Sequence, residues 1–248
     1  MVGIIFFLYG TIFGSFFNVV GLRIPVGQSI VRPRSSCPTC GHELTAKELI
    51  PVLSYVIQGG KCRQCQAGIS LFYPIMELLT GLLFLVTYIH FGFSPNLIIG
   101  LTLCSLFIII TVSDLKYMII SDRVLLFFAS VLFIERLIFP LTPWWSPFLG
   151  AVVGFLLLLF ISVVSRGGMG GGDIKLYAVI GLALGVKLTL LSFFLATLVG
   201  TVVGAIGMII GMVHKGKPMP FGPFIAIGSL LAFFYGNELI LWYLDLFL

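Results

Sequence analysis

Long apolar stretches separated by short polar ones run along the whole chain. Eight stretches consist mostly of apolar residues: 2–22, 74–91, 97–113, 124–139, 148–165, 174–187, 189–213 and 221–244. A helix that crosses a membrane needs about 20 mostly apolar residues, and most of these stretches approach that length. The pattern therefore predicts an all-α polytopic membrane protein with about eight transmembrane helices.

The composition supports this class and excludes others. Hydrophobic residues make up 59% of the chain and charged residues 9%, with a mean hydropathy of +1.18, whereas soluble domains carry about 25% charged residues. The net charge of +5 is spread over the loops, and a nucleic-acid-binding protein would need a clustered basic face. We therefore expect membrane lipids around the helices and no nucleic-acid partner. The first stretch lacks a basic start and a small-residue cleavage site, so we expect a retained helix and not a cleaved signal.

The positions of the basic residues predict the orientation. If the apolar stretches cross the membrane in turn, 12 of the 14 Lys and Arg residues fall on one side: Arg23, Arg32, Arg34, Lys47, Lys61, Arg63, Lys116, Arg123, Arg166, Lys175, Lys215 and Lys217. Only Arg136 and Lys187 fall on the other side. Because basic loops stay in the cytoplasm, we expect the amino terminus outside and the polar loop 26–73 inside.

The loop 26–73 carries two C-x-x-C pairs, Cys37/Cys40 and Cys62/Cys65, with 21 residues between them. This spacing is close to that of a four-cysteine zinc site, and a loop with so few large apolar side chains needs such a staple to fold. Two disulfides or a redox pair are the alternatives, although persistent disulfides are rare in the cytoplasm. We expect three parts: a first helix over 1–25, a zinc loop over 26–73, and a transmembrane core over 74–248.

Two aspartates lie at the ends of apolar stretches. Asp114 closes the third stretch, and Asp173 opens the sixth after a run of glycines. An acid at the edge of a membrane helix is a candidate functional residue, and two close carboxylates share a proton so that one acts as base and the other as acid. The sequence places Asp173 at a helix N-terminus and Asp114 at a C-terminus, so the helix dipoles predict an ionised Asp173 and a protonated Asp114.

Five further residues are candidates for supporting roles. Gly170 and Gly172 leave room for an extended substrate backbone to approach Asp173, and Lys175 follows in the same motif. Asp122 either supports the pair or caps the following helix. Glu77, about one turn inside the second apolar stretch, either pairs with a cation of the loop or helps to hold the substrate.

Taken together and in this order, these pieces resemble the type IV prepilin peptidases, membrane aspartic proteases that share a glycine-x-glycine-aspartate motif with preflagellin peptidases and presenilins. The matching residues are Gly14-Ser15-Phe16, Asn18-Val19, Arg23-Ile24-Pro25, the two cysteine pairs, Tyr73-Pro74, Glu77, Thr80-Gly81, Ser113-Asp114-Leu115, Ile120-Ser121-Asp122, Gly170 to Leu176, and Pro220-Phe221-Gly222-Pro223. The resemblance implies that Asp114 and Asp173 are the catalytic pair. A proline often precedes the acid at the position of Asp122, where this chain has Ser121, a departure that touches only the supporting residue.

The resemblance also implies the reaction. The substrate would be a type IV prepilin or pseudopilin precursor, cleaved after a glycine at the cytoplasmic face of the bacterial inner membrane. Many family members with a cysteine-rich loop also methylate the new amino terminus with S-adenosylmethionine. Two alternatives stay open from the residues alone: a proton-coupled transporter, in which membrane acids relay protons, and a thiol oxidoreductase with its cysteine pairs on the outer side.

Overall fold

The computed structural model describes residues 1–166, 168–211 and 219–247, and this part of the chain is almost entirely helical. The helices are α1 (Val2–Arg23), α2 (Leu53–Ile57), α3 (Phe72–Phe91), α4 (Pro95–Tyr117), α5 (Asp122–Ile138), α6 (Ser146–Val164), α7 (Gly171–Ile209) and α8 (Gly222–Phe247). The prediction of an all-α membrane protein is confirmed. Lys215, Lys217 and the last two positions of the predicted stretch 189–213 lie outside the described residues.

Six of these helices are long and apolar enough to cross a membrane, namely α1, α3, α4, α6, α7 and α8. The predicted number of about eight exceeds this count for two reasons. Helix α5 has only 17 residues, which is the lower end of the spanning range. Helix α7 consists of two helices that meet at Gly185, close to the boundary between the predicted stretches 174–187 and 189–213.

Helix α7 is interrupted at Gly185, whose backbone (φ 73, ψ 175) is not helical. A straight helix of 39 residues would measure about 58 Å, nearly twice the hydrocarbon thickness of about 30 Å. Glycine adopts a positive φ without steric cost, so the break falls where the sequence permits it. Arg136 of α5 bonds the Ala183 carbonyl just before the break, its Nε donating at 2.9 Å.

The chain divides into two compact units, Met1–Leu97 and Ile98–Leu248. In the first unit, α1 packs on α3 through small residues. A Cβ atom on Gly10 would lie 2.7 Å from the Gly81 Cα, and one on Gly14 would lie 2.9 Å from the Glu77 Cα. Because neither site leaves room for a side chain, the two helices approach at backbone distance, as small residues allow in membranes.

In the second unit, α7 is the central helix and packs against α5, α6 and α8. A Cβ atom on Gly154 of α6 would lie 2.5 Å from the Tyr177 carbonyl of α7, and one on Gly228 of α8 would lie 2.5 Å from the Ala196 amide. Tyr177 and Ile180 are fully buried. Close contacts therefore hold both parts of α7, and the contact with α6 lies about one turn after Asp173.

Candidate functional site

Asp173 is the third residue of α7. Gly170 precedes the helix in an extended conformation (φ −67, ψ 141), and its carbonyl accepts the Asp173 amide at 3.1 Å. The Asp173 side chain folds back toward Gly170, since a Cβ atom there would lie 3.1 Å from Asp173 Oδ2. The carboxylate thus occupies the first turn of the helix, where unpaired backbone amides favour negative charge.

Asp114 lies in the last turn of α4 and is 6% exposed. Its Oδ2 accepts a hydrogen bond of 2.7 Å from the amide of Gly222, the first residue of α8. A Cβ atom on Gly222 would lie only 2.8 Å from that oxygen. Only glycine at this position therefore lets the start of α8 meet the carboxylate.

We did not identify Gly222 as a site residue from the sequence. In the sequence, the segment 220–223 stands out only as part of the motif that resembles the family. A usable signal was present, because a glycine stands between Phe221 and Pro223 at the start of an apolar stretch. The first amides of a helix have no partner within the helix, and a glycine there allows another group to approach them.

Asp114 and Asp173 are neighbours within the second unit, since Gly172 beside Asp173 packs on Ile120, six residues after Asp114, and the Asp114 charge acts on Asp173. Both carboxylates now have the start of a helix beside them: α7 for Asp173 and α8 for Asp114. The prediction of an ionised Asp173 and a protonated Asp114 assumed that only Asp173 lies at a helix N-terminus. Because Asp114 also contacts a helix N-terminus, helix dipoles no longer distinguish the two carboxyl groups. Two neighbouring carboxylates still cannot ionise together without a cost, which favours one proton on the pair.

Asp122 and Lys175 form an ion pair next to this site. The Lys175 ammonium lies 2.8 Å and 2.7 Å from the two Asp122 carboxylate oxygens, and both side chains are more than half exposed. The position before α5 is occupied by Ser121, and Asp122 is the first helical residue, so the interpretation of Asp122 as the helix cap is wrong. The pair links the starts of α5 and α7.

Gly172 makes a close contact with another residue of the protein, in the place where we expected a substrate backbone. A Cβ atom on Gly172 would lie 2.7 Å from the Ile120 Cβ in the short connection between α4 and α5. The space that we expected a substrate backbone to use is filled by Ile120, which corrects the interpretation of this glycine. Beside Gly171, by contrast, no described residue lies within 4 Å of the corresponding Cβ position.

Glu77 lies in the first unit and is 9% exposed. Its Oε2 accepts a hydrogen bond of 2.8 Å from the amide of Val52, a residue with positive φ just before α2. The expected cation of the loop is not its partner, so that interpretation is wrong. The carboxylate instead connects the segment before α2 to α3. Such a bond is strong because a backbone amide donates to an ionisable acceptor.

The four sulfurs of Cys37, Cys40, Cys62 and Cys65 lie within 4.8 Å of one another. Cys37 and Cys65 are 3.7 Å apart, and Cys40 and Cys62 are 3.9 Å apart. Tetrahedral zinc with bonds of about 2.3 Å would place its sulfurs about 3.8 Å apart, whereas a disulfide needs about 2.05 Å. The cluster therefore fits a zinc ion and not the disulfide alternative.

Backbone amides favour the thiolate form of one cysteine of this cluster. The amide of Cys40 lowers the pKa of the Cys37 thiol to about 6, which favours the thiolate that binds metals. The Ala67 amide lowers the pKa of the Cys65 thiol, but desolvation and the three neighbouring thiols outweigh it and raise that pKa to about 12. His42 is not part of the cluster, because its Nε2 lies 3.3 Å from a Glu48 carboxylate oxygen. The loop thus supplies four sulfur ligands and a separate histidine–glutamate pair.

The two cysteine turns are copies of one another, a relation that we did not predict. The Cys37 amide bonds the His42 carbonyl at 2.9 Å, and 25 residues later the Cys62 amide bonds the Ala67 carbonyl at 2.8 Å. Isolated bridges close both turns, at Ser36/Glu43 and Lys61/Gly68. In the structure, each turn begins with C-x-x-C followed by a residue with positive φ, Gly41 or Gln66. The sequence signal for this relation is the equal spacing within the two cysteine pairs.

Comparison with known proteins defines first the class and then the family. Residues 8–91 match the model for the bacterial peptidase A24 N-terminal domain, and residues 101–205 match the type IV leader peptidase family. The protein is thus a membrane-embedded peptidase by class. No solved structure matches the chain.

Comparison with curated relatives identifies the family within this class of peptidases. The chain is 47% identical to a prepilin leader peptidase/N-methyltransferase of Bacillus subtilis over 98% of both chains. It is 33% identical to a protein of the same name from Aeromonas salmonicida (96% of this chain, 92% of the relative) and 32% identical to one from Pseudomonas aeruginosa (96% and 92%). The chain belongs to the type IV leader peptidase family, which confirms the resemblance. Neither the transporter nor the oxidoreductase alternative receives support.

Proposed function

We propose that this protein removes the leader from type IV prepilin or pseudopilin precursors by aspartic catalysis at Asp114 and Asp173, and then methylates the new amino terminus. The observation that carries the peptidase proposal is the meeting of these two carboxylates at helix ends in a chain of this family. The second activity follows from the shared name of the full-length relatives, prepilin leader peptidase/N-methyltransferase.

The proposed reaction needs one proton on the pair. The ionised carboxylate takes a proton from water, which attacks the carbonyl of the scissile bond, and the protonated carboxyl group gives its proton to the carbonyl oxygen or the leaving amine. The Gly222 amide engages Asp114 Oδ2, so a proton on Asp114 would lie on Oδ1. Gly222 is therefore a positioning residue, because its amide holds the Asp114 carboxyl group in one orientation.

The orientation and the substrate are part of the same proposal. The excess of basic residues supports an orientation with the amino terminus outside, the polar loop in the cytoplasm, and Asp114 and Asp173 at the cytoplasmic face. A precursor with a short basic leader and an apolar helix would insert beside the helices and present its peptide bond, after a glycine, at this depth. The acidic pair attracts the basic leader, which favours binding in this direction.

Zinc and S-adenosylmethionine are the proposed cofactors. Cys37, Cys40, Cys62 and Cys65 would hold a structural zinc ion that ties together two turns with few apolar contacts of their own. S-adenosylmethionine would supply the methyl group. We propose no role for zinc in peptide cleavage, because the two carboxyl groups supply both proton transfers.

The test is cleavage of a model prepilin in proteoliposomes by the wild type and by Asp114→Asn and Asp173→Asn. Asp245→Asn is the matched control, because it makes the same change at an exposed acid near the end of α8. We expect the first two variants to lose cleavage and the control to keep it. Cleavage by either active-site variant at the wild-type rate would remove that residue from the mechanism.

The same variants separate the two activities. With an already cleaved pilin and labelled S-adenosylmethionine, Asp114→Asn and Asp173→Asn should transfer the methyl group at the wild-type rate. Loss of both activities, with normal membrane insertion, would show that the aspartates support the fold and not peptide cleavage alone. Absence of methyl transfer by the wild type would refute the second activity without affecting the first.

A further inference from the structure

A pocket of about 410 Å³ lies within the first unit, between the end of α1 and the segment before and after the first cysteine turn. Its walls are largely apolar, with Phe16 and Val19 from α1 and Leu49 from the loop. Two arginines, Arg23 and Arg34, supply the charge. None of the residues assigned above to peptide cleavage or to the cysteine cluster lines this pocket.

The position of the pocket along α1 sets its depth in the membrane. Helix α1 has 22 residues and ends at Arg23, so it measures about 33 Å, close to the hydrocarbon thickness of about 30 Å. Arg23 therefore lies at the level of the lipid headgroups, and Phe16 and Val19 lie one to two turns deeper. The pocket runs from acyl-chain depth to headgroup depth.

The arginines of the pocket have free hydrogen-bonding capacity. Arg23 Nη1 donates to the Ser29 carbonyl at 3.1 Å and to the Pro33 carbonyl at 2.7 Å, which holds the facing wall in place. Within the described part of the chain, neither Arg23 nor Arg34 has a carboxylate partner. Glu48 is already engaged, since its Oε2 accepts from the Thr45 amide and hydroxyl at 2.9 Å and 2.7 Å.

We propose that this pocket binds the phosphate headgroup of an anionic phospholipid, with an acyl chain along Phe16 and Val19. Guanidinium groups match phosphate oxygens in geometry and charge, and anionic lipids attract basic groups next to a membrane helix. The occupant supplies the missing counter-ion for both arginines. It also fixes the segment 29–35, and with it the first cysteine turn, to the membrane surface.

The experiment uses the full chain in nanodiscs of phosphatidylcholine, with or without phosphatidylglycerol. Hydrogen exchange reports the segment 29–35, and native mass spectrometry counts retained lipid. We expect phosphatidylglycerol to slow exchange in this segment and to stay bound. Arg34→Gln should weaken retention about fivefold, the value of one basic group near an anionic surface. Arg63→Gln is the matched control, because it removes a charge that is also exposed but lies outside the pocket.

Arg34 is chosen because Arg23 also holds the pocket wall. Zinc content reports whether the loop stays folded. If Arg34→Gln loses the metal, the wild type in the two lipid compositions decides, because its protection and retained lipid must depend on phosphatidylglycerol. Equal protection in pure phosphatidylcholine would overturn the proposal, as would an equal effect of Arg34→Gln and Arg63→Gln. Protection by inorganic phosphate or S-adenosylmethionine in place of phosphatidylglycerol would also overturn it, because a soluble anion would then be the ligand.

Discussion

Gly222→Ala tests the contact that the structure adds to the proposed catalytic pair. The new methyl group would lie 2.8 Å from Asp114 Oδ2 and 3.2 Å from its Cβ and Cγ, which is too close for non-bonded carbon and oxygen. Either the carboxyl group or the start of α8 must move, and the 2.7 Å hydrogen bond is lost or stretched. Alanine is otherwise a good residue at a helix start, so the damage is confined to the site.

The expected magnitude follows from the bond. A hydrogen bond to a charged group contributes about 1.5–3 kcal/mol, and about 1.4 kcal/mol changes a rate tenfold. If Asp114 must be held in position for proton transfer, kcat/KM for prepilin cleavage should fall about 10- to 150-fold. Methyl transfer to a cleaved pilin should be unchanged, since that substrate does not need the pair.

The assay is prepilin cleavage in proteoliposomes, with insertion and thermal stability measured for each variant. Gly204→Ala of α7 is the matched control, because its new methyl group would meet only the end of the Met219 side chain, at 3.4 Å. The reasoning is refuted if Gly222→Ala cleaves within twofold of the wild type while Gly204→Ala does the same. The Gly222 amide would then have no part in positioning Asp114.

Further predictions concern the surroundings of the site and the loop. Gly172→Ala should slow cleavage, because its methyl group would lie 2.7 Å from the Ile120 Cβ, and adding Ile120→Gly, which removes that Cβ atom, should restore much of the rate; no rescue would argue for a substrate contact. Lys175→Met should reduce stability by less than about 1 kcal/mol, since its partner Asp122 is exposed, and high salt should reduce the wild type's advantage. Chelation of zinc should release exchange protection from both cysteine turns and leave prepilin cleavage intact; loss of cleavage would assign the metal a wider role. The Thr45 amide lowers the pKa of Glu48 to about 2 from 4.5, so the stabilisation by this carboxylate is present above pH 4.5 and lost toward pH 2, and Glu48→Gln should flatten the pH dependence of exchange over 44–49 in that range.

Much of this protein was determined by signals that lie close together in the sequence. Apolar stretches of helical length specify the helices because a helix satisfies all its backbone hydrogen bonds within one segment, as the membrane interior requires. The two C-x-x-C pairs were recognisable because each pair lies within one turn, and equal turns bring four sulfurs together. Asp114 and Asp173 were recognisable because an acid at the end of an apolar stretch is rare and costly.

The tertiary structure decided which groups meet. Gly222 bonds Asp114 across 108 residues of chain, Gly172 packs on Ile120, and Glu77 bonds the Val52 amide 25 residues away. Each of these partners is a backbone amide or a side chain without a charge, so the sequence carries no pairing signal for it. The break at Gly185 is of the same kind, because a glycine permits a positive φ but only packing against neighbouring helices selects where α7 bends.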